Sequence, residues 1–201
     1  KNELLALFPG SRKAEIKRNF PKILQALHLF KQKVPNVIFG ISIASETTKN
    51  LLEEILSTSQ IKEKDYFFIS KERTYELMQQ CKTAIAKSGT VTLELALHEK
   101  PTVVVYELSF LNRFIAKYIM RLKLPFYCIV NILSKNQVFP ELIEHGFTAE
   151  NLSLQTVDMH TNSHKRESCI EKLKKCKSLL ENGNPIENAA SSIARLIHEN
   201  S

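Results

Sequence analysis

The sequence predicts an α/β fold built on a doubly wound parallel sheet. Short apolar runs alternate with longer amphipathic stretches along most of the 201 residues, which is typical of strands connected by crossover helices. The runs are apolar at consecutive positions, as expected for strands that helices cover on both faces. With 43% apolar residues, the chain can bury a substantial core in one large domain or two small ones.

Six apolar runs are the predicted strands, at residues 4–8, 37–43, 66–69, 83–86, 102–106 and 128–130. Between them, apolar residues spaced three and four apart predict helices at 21–33, 47–57, 74–81, 91–98 and 109–123. Asn19 is a candidate N-cap of the first helix, and Pro21 suits a first turn.

The chain after Asn131 is predicted to be helical, at 140–144, 148–157, 163–182 and 185–198, without a further strand. We therefore expect an α/β domain at residues 1–150 and a helical C-terminal appendage at residues 151–201. The Asn-Gly-Asn-Pro break at 182–185 separates the last two helices. A helix beyond such a hinge can exchange between two copies, so a homodimer is a hypothesis.

Composition excludes several kinds of site. The five glycines lie at least 30 residues apart, which excludes glycine-rich dinucleotide and triphosphate loops and the nucleophile elbow. Only two aspartates occur, which excludes EF-hands. His160 and His164 have a spacing that can bind zinc, but only Asp158 stands nearby, so neither a metal nor another cofactor is expected.

Charge and cysteine content bear on partners and compartment. The net charge of +7 favours an anionic partner: nucleic acid, an acidic membrane surface or a phosphorylated ligand. The four cysteines form no CxxC pair and are expected to be free thiols in a reducing compartment. No apolar run approaches the ~20 residues of a membrane span. The first residue, Lys1, is expected of an excised piece of a longer protein.

Three loops after predicted strands have side chains suited to an anion, and ligands of open α/β sheets bind at such loops. In the first, Gly10 permits close approach of a ligand, while Ser11 and Arg12 can bind phosphate oxygens. An ordinary turn with a solvated arginine is the alternative. The third loop, at 131–137, is polar and suits either a ligand or a surface connection.

The second loop leads directly into a helix, whose positive end attracts anions. It consists of Lys87, Ser88, Gly89 and Thr90, and Glu94 follows one turn into the helix. That carboxylate could accept hydrogen bonds from a sugar diol. The alternative is a simple helix cap followed by a solvated carboxylate.

The predicted helix at 109–123 has an apolar stripe beside a line of cations. The stripe contains Leu111, Phe114, Ile115, Tyr118, Ile119 and Leu122, and the cations are Arg113, Lys117 and Arg121. This pattern fits an anionic membrane surface. It fits equally a helix packed on another domain, or ordinary packing with lysines that reach the solvent.

Four segments carry a resemblance to a known family. They read LFPGSRKAEIKRNFPKILQAL, SGTVTLELAL, PTVVVYELSFL and NILxxxxVFPELI, in this order, within residues 4 to about 143. They resemble the C-terminal half of the lipid-A-disaccharide synthases, metal-independent glycosyltransferases with two Rossmann-like domains (the GT-B fold). The resemblance implies transfer of diacylglucosamine from UDP to diacylglucosamine 1-phosphate, which forms the β(1→6) disaccharide of lipid A. It also implies a cytoplasmic, peripheral protein on the inner face of the bacterial inner membrane.

The resemblance assigns roles to individual residues. It implies that Ser11 and Arg12, with Gly10, bind the donor diphosphate, that Ser88, Gly89 and Thr90 hold phosphate, that Glu94 binds the ribose, and that Asn131 lines the cleft near the transferred sugar. The nucleobase is expected near residues 69–70. The general base is expected in the N-terminal half, so this chain alone is expected to bind UDP without catalysing transfer.

The chain departs from the family pattern at several positions. Lys87 replaces a usually small residue and adds a cation beside the expected phosphates. Residues 129–130 replace a common Leu-Pro, and 134–137 replace Ala-Gly-Arg-Glu, so the third loop lacks the arginine–glutamate pair of the family.

Two other classes of function remain open from the sequence. A UDP-sugar 2-epimerase would share the fold and the donor site, but the acidic and histidine residues that it needs are not evident. A basic nucleic-acid-binding module would fit the charge, but the lysines are scattered and no recognition motif occurs, so nucleic acid is not expected as a partner.

Overall fold

The structure, a computed structural model, describes residues 3–107 and 125–181. Its strands form one six-stranded sheet in which every neighbouring pair is parallel. They are β1 (Glu3–Phe8), β2 (Val37–Ser42), β3 (Tyr66–Ile69), β4 (Thr83–Lys87), β5 (Thr102–Tyr106) and β6 (Glu141–Ile143). The predicted doubly wound α/β fold is confirmed.

The helices of the described residues lie on both faces of this sheet. They are α1 (Lys13–Lys33), α2 (Glu46–Ser57), α3 (Thr74–Gln80), α4 (Thr90–Leu97), α5 (Ile129–Ser134), α6 (Ala149–Thr161) and α7 (Ser163–Glu181). Short 3₁₀ turns occur at Glu63–Asp65, Lys71–Arg73 and Glu144–Gly146.

Successive side chains of the central strand enter two different apolar layers, as the pleat of a strand requires. Leu5 and Leu7 join the larger core, which contains residues of α1, α2, α6 and α7. Ala6 and Phe8 join a smaller core with Leu77 of α3 and residues of α4. Both faces of the sheet are therefore covered by apolar side chains, which explains why the strands are apolar at consecutive positions.

The strand order is β3-β2-β1-β4-β5-β6. The chain adds strands on one side of β1 up to β3 and then crosses to the other side of β1 with β4. The order therefore reverses between β1 and β4, and the loops that follow these two strands separate to opposite faces. Such a reversal leaves a crevice at the carboxyl ends of the strands.

The first helix begins earlier than predicted. It starts at Lys13, and Asn19, the candidate cap, is 1% exposed inside it. The buried stripe that holds α1 on the sheet begins at Ile16 and Phe20, so tertiary packing extends the helix through Asn19 and Pro21. Pro21 is tolerated in the interior, on the exposed side of the helix.

Two predictions for the later part of the chain are wrong. Residues 128–130, predicted as a strand, lie at the start of α5, and residues 140–144, predicted as a helix, contain β6. A short apolar run fits a strand and a buried helix equally well. The three residues of β6 pair with residues 104–106 at the sheet edge, which is a contact distant in sequence.

The last described helices pack on the sheet layer. α6 contacts α1, β4 and β5, and α7 contacts α4, α5 and α6. The predicted domain boundary at residue 150 falls in the first turn of α6. The predicted helices at 109–123 and 185–198 lie outside the described residues.

A buried histidine connects α6 to the amino end of the sheet. His160 is fully buried, and its Nδ1 lies 2.6 Å from the hydroxyl of Thr83. Its Nε2 lies 3.0 Å from the carboxylate of Glu3, which also pairs with Lys82. Both ring nitrogens are engaged within the fold, whereas His164 lies exposed in the next helix.

Candidate functional site

A cleft of about 860 Å³ opens at the carboxyl edge of the sheet, where the strand order reverses. Its walls come from the segments after β1, β2, β3 and β4 and from the first turns of α1, α3 and α4. The cleft brings together most of the residues singled out in the sequence: Gly10, Ser11, Arg12, Ser88, Gly89, Thr90 and Glu94. The remaining one, Asn131, does not line it.

The loop after β1 presents an arginine at the mouth of the cleft. Gly10 has φ +100°, a backbone conformation that L side chains rarely adopt, so the turn favours glycine. Arg12 stands at the N-cap of α1 with an extended backbone and makes no side-chain capping bond. Its side chain is 78% exposed and lies 3.1 Å from the carboxylate of Glu15. The guanidinium is therefore available to a ligand in the cleft.

The loop after β4 presents the amino end of a helix. The N–H of Ser88 donates to the carbonyl of Val105, which fixes the loop on the sheet, and Gly89 is the N-cap of α4. The N-cap is a glycine, so it has no side-chain oxygen that could cap the helix end. The first N–H groups of a helix have no intrahelical acceptor and carry a partial positive charge. Gly89 and Thr90 are exposed, so this end of α4 can bind an anion.

Three cations and three carboxylates line the cleft: Arg12, Lys71, Lys87, Glu15, Glu72 and Glu94. Glu15 accepts a hydrogen bond from Arg12 at 3.1 Å and forms an ion pair with Lys87 at 3.2 Å. Glu94 is half-buried, and its carboxylate contacts no side-chain donor in the part of the chain that the structure describes. The site thus offers cations at the β1 and β4 loops and an acceptor one turn into α4, which suits a ligand with an anionic group and hydroxyls.

The first turn of α3 adds an aromatic ring that the sequence analysis missed. Tyr75 lines the cleft, is 56% exposed and lies 5.4 Å, between ring centroids, from His98. Residues 69–70, where a nucleobase was expected, precede the lining residues Lys71 and Thr74. The signal available in the sequence was an aromatic residue at the start of the predicted helix 74–81.

The expectation that Asn131 lines the cleft is wrong. Its side chain is fully buried, and its oxygen accepts from the N–H groups of Val138 and Phe139 at 2.8 and 2.9 Å. Its nitrogen donates to the carbonyl of Phe139. Because α5 replaces the predicted last strand, Asn131 does not stand at the carboxyl end of a strand.

The thiols of the described residues are buried. All four cysteines are free. Burial raises the pKa of Cys81 to about 11 and that of Cys169 to about 12, so neither forms a thiolate at neutral pH. Across residues 3–107 and 125–181, no three His, Cys, Asp or Glu side chains cluster as metal ligands.

The candidate membrane surface of Leu111, Phe114, Tyr118, Arg113, Lys117 and Arg121 lies outside the described residues. Among the helices that are described, none has the length and apolar content needed to cross a bilayer. A membrane contact through residues 109–123 stays a prediction.

Comparison with known proteins identifies relatives over nearly the whole chain. A model of the lipid-A-disaccharide synthetase family matches residues 1–198. The lipid-A-disaccharide synthase of Gloeothece citriformis (strain PCC 7424) is 31% identical over 189 residues, which are 94% of this chain and 48% of that protein. The enzyme of Coxiella burnetii (strain RSA 331 / Henzerling II) is 31% identical over 194 residues, 96% of this chain and 49% of that protein. The chain spans about half the length of these curated relatives.

Solved structures share the fold at low sequence identity. WaaG, a glycosyltransferase involved in lipopolysaccharide biosynthesis, aligns with a TM-score of 0.57 at 16% identity, over 91% of this chain and 44% of that one. The UDP-GlcNAc 2-epimerase of Neisseria meningitidis, solved with UDP-GlcNAc, aligns with a TM-score of 0.53 at 13% identity, over 90% of this chain and 45% of that one.

Proposed function

The chain belongs to the lipid-A-disaccharide synthetase family, and we propose that it is the half of such a glycosyltransferase that binds the UDP-sugar donor. The cleft carries this proposal, because it holds an exposed arginine, a glycine turn and an open helix end at the point where α/β sheets bind ligands. The donor would be UDP-diacylglucosamine, and the acceptor would be diacylglucosamine 1-phosphate.

In the proposed complex the diphosphate lies between the loops after β1 and β4. Arg12 donates bidentate hydrogen bonds to the diphosphate oxygens. Ser11 and Ser88 donate from their hydroxyls, and the N–H groups at Gly89 and Thr90 complete the contact. Glu94 accepts hydrogen bonds from the ribose hydroxyls.

The chemical task of this half is to stabilise the leaving group. The 6-hydroxyl oxygen of the acceptor forms a bond to the anomeric carbon of the donor sugar, and the bond from that carbon to the β-phosphate oxygen breaks. The electron pair leaves with UDP, and the hydroxyl proton passes to a general base. Arg12 and the amino end of α4 face the charge that develops on UDP.

The base is expected in the N-terminal half of the enzyme. No histidine lines the cleft as it is described, and two of its three carboxylates, Glu15 and Glu94, already serve a cation pair and the ribose in this proposal. We therefore expect the chain alone to bind UDP without turnover.

Three further features of the enzyme are part of this proposal. They are the N-terminal half as a partner, a peripheral position on the inner face of the bacterial inner membrane through residues 109–123, and a homodimer. The division into a nucleotide-sugar-binding domain at residues 1–150 and a helical appendage at residues 151–201 belongs here too. The contacts of α6 with α1, β4 and β5 support the packing of this appendage on the domain.

The family match favours a glycosyltransferase over the two alternatives. The Neisseria epimerase shares the fold at 13% identity, and such a likeness extends to the fold alone. A nucleic-acid-binding module rests only on the net charge of +7.

Calorimetric titration with UDP tests the proposal, with CDP as the base control. Arg12→Ala should weaken UDP binding about 10-fold or more, because a charge-assisted hydrogen bond contributes roughly 1.5–3 kcal/mol. Arg73→Ala is the matched control. Arg73 is also exposed and pairs with a glutamate three residues later, Glu76, but it does not line the cleft.

Two results would contradict the proposal. One is the absence of saturable UDP binding to the unmodified chain. The other is an equal effect of Arg12→Ala and Arg73→Ala on the UDP affinity.

A further inference from the structure

One carboxylate of the cleft contacts two cations from different elements. Oε1 of Glu15, in the first turn of α1, lies 3.1 Å from Nη1 of Arg12 and 3.2 Å from Nζ of Lys87, the last residue of β4. The Glu15 and Lys87 side chains are only 18% and 14% exposed, whereas that of Arg12 is 78% exposed. The carboxylate thus lies between the two loops of the proposed diphosphate site.

The fold holds the Lys87 ammonium at this place. Its Nζ lies 5.1 Å from the ring centroid of Tyr106 at the end of β5. Its Cδ lies 3.7 Å from where a Cβ on Gly10 would stand, so the aliphatic stem runs along the glycine turn. A lysine held on both sides loses little side-chain freedom when an anion binds to it.

In the free site, the cationic charge at the β1 and β4 loops is only partly neutralised. Two cations and one carboxylate leave a single net positive charge at the β1 and β4 loops. A diphosphate brings more than one negative charge and several acceptor oxygens, so it competes well with a single carboxylate for both cations. Glu15 satisfies the half-buried ammonium of Lys87 while no such anion is bound.

We propose that Lys87 is a second cation for the donor diphosphate and that Glu15 is the counter-ion that Lys87 exchanges for phosphate when the donor binds. This inference rests on the proposed donor site and names two residues that act in it. On binding, the Lys87 ammonium moves its contact from Oε1 of Glu15 to a phosphate oxygen. Lys87 therefore contributes to the preference for a diphosphate over a monophosphate, and Glu15 limits the affinity for both.

Titration of the chain with UDP and with UMP at low ionic strength tests this exchange. Lys87→Met should lower the UDP affinity about 10-fold and the UMP affinity much less, because the monophosphate lacks the second charged group. Lys87→Arg should keep most of the preference for UDP. Glu15→Gln should raise the UDP affinity about 3-fold or more, because it removes a competing anion. In the double variant, Lys87→Met with Glu15→Gln, this gain should shrink.

Lys82→Met is the matched control, because Lys82 also pairs with a glutamate but lies next to the amino end of the same strand. Its UDP affinity should equal that of the unmodified chain, and thermal unfolding reports whether each variant is folded.

An unchanged ratio of UDP to UMP affinity in Lys87→Met, or a loss of the preference for UDP in Lys87→Arg, would overturn the role of Lys87. Weaker UDP binding by folded Glu15→Gln would overturn the role of Glu15. If the unmodified chain binds no UDP, the proposed function fails, and this inference fails with it.

Discussion

The amide nitrogen of Asn131 lies 2.6 Å from the carboxylate of Glu141, and this contact joins α5 to the edge strand β6. The same carboxylate accepts from the backbone N–H groups of Tyr127 and Cys128, at 2.9 and 3.0 Å. Glu141 therefore fixes the segment that leads into α5, and Asn131 fixes the turn that leads back to the sheet. Both side chains support the fold and do not face the cleft.

Asn131→Ala should lower the free energy of unfolding by about 2–4 kcal/mol, because buried N–H, carbonyl and carboxylate groups lose their partner together. Urea unfolding measures this change. Asn136→Ala, at an exposed position in the same turn, is the control and should change stability little. A folded Asn131→Ala chain should keep its UDP affinity, and a selective loss of UDP binding without destabilisation would contradict the structural role.

Glu94→Ala should weaken UDP binding about 10-fold, because the ribose hydroxyls would lose a charged acceptor. Binding of 2′,3′-dideoxyuridine diphosphate, which lacks those hydroxyls, should not change. Glu54→Ala, on the exposed side of α2, is the control. An equal loss of affinity for both nucleotides would show that Glu94 does not bind the ribose hydroxyls.

Tyr75→Ala should weaken UDP binding by about 1–3 kcal/mol if its exposed ring stacks on the base, and Tyr75→Phe should bind almost as the unmodified chain does. Inorganic pyrophosphate has no base, so its affinity should be the same in all three proteins. Tyr127→Ala is the control, since Tyr127 is 42% exposed and does not line the cleft. A parallel loss of pyrophosphate binding would refute stacking as the cause.

The protein should lose stability on acidification through His160. Burial lowers the pKa of His160 below its ordinary 6.5, and Lys82 and Arg166 add to this effect, whereas Glu3 opposes it. The unfolded chain therefore takes up the proton more readily, so stability is present above about pH 6.5 and falls as the pH decreases from there. The slope for one proton is at most about 1.4 kcal/mol per pH unit.

Urea unfolding at several pH values measures this slope. His160→Gln should flatten the decrease below pH 6.5, and the exposed His164→Gln should not change it. The Lys82 hydrogen bond lowers the pKa of Glu3, so a second loss of stability is expected near and below pH 4.5. An unchanged slope in His160→Gln would exclude the histidine as its source.

The first five strands could be predicted because each is a short, mostly apolar run with a polar residue at one end at least, and two of them, 66–69 and 102–106, match the structure at both ends. The cleft loops followed from the same pattern, since a ligand loop needs only a correctly placed strand end before it. Gly10 and Gly89 were found in this way.

Contacts between distant parts of the chain could not be predicted. β6 exists because residues 141–143 pair with β5, and the start of α1 is set by burial of Ile16 and Phe20 against the sheet. Asn131 was misplaced because the strand before it was predicted wrongly. Tyr75 and Glu15 gained their roles only from the neighbours that the fold gives them.

The position of β1 at the centre of the sheet has a consequence for synthesis on the ribosome. Each later strand pairs with one that has already been made: β2 and β4 with β1, β3 with β2, β5 with β4, and β6 with β5. A nascent chain can therefore extend the sheet outward from its first strand as residues emerge, at about 5–20 residues per second. Each strand after β1 therefore finds a neighbour among residues that have already emerged, so the sheet can form in the order in which it is translated.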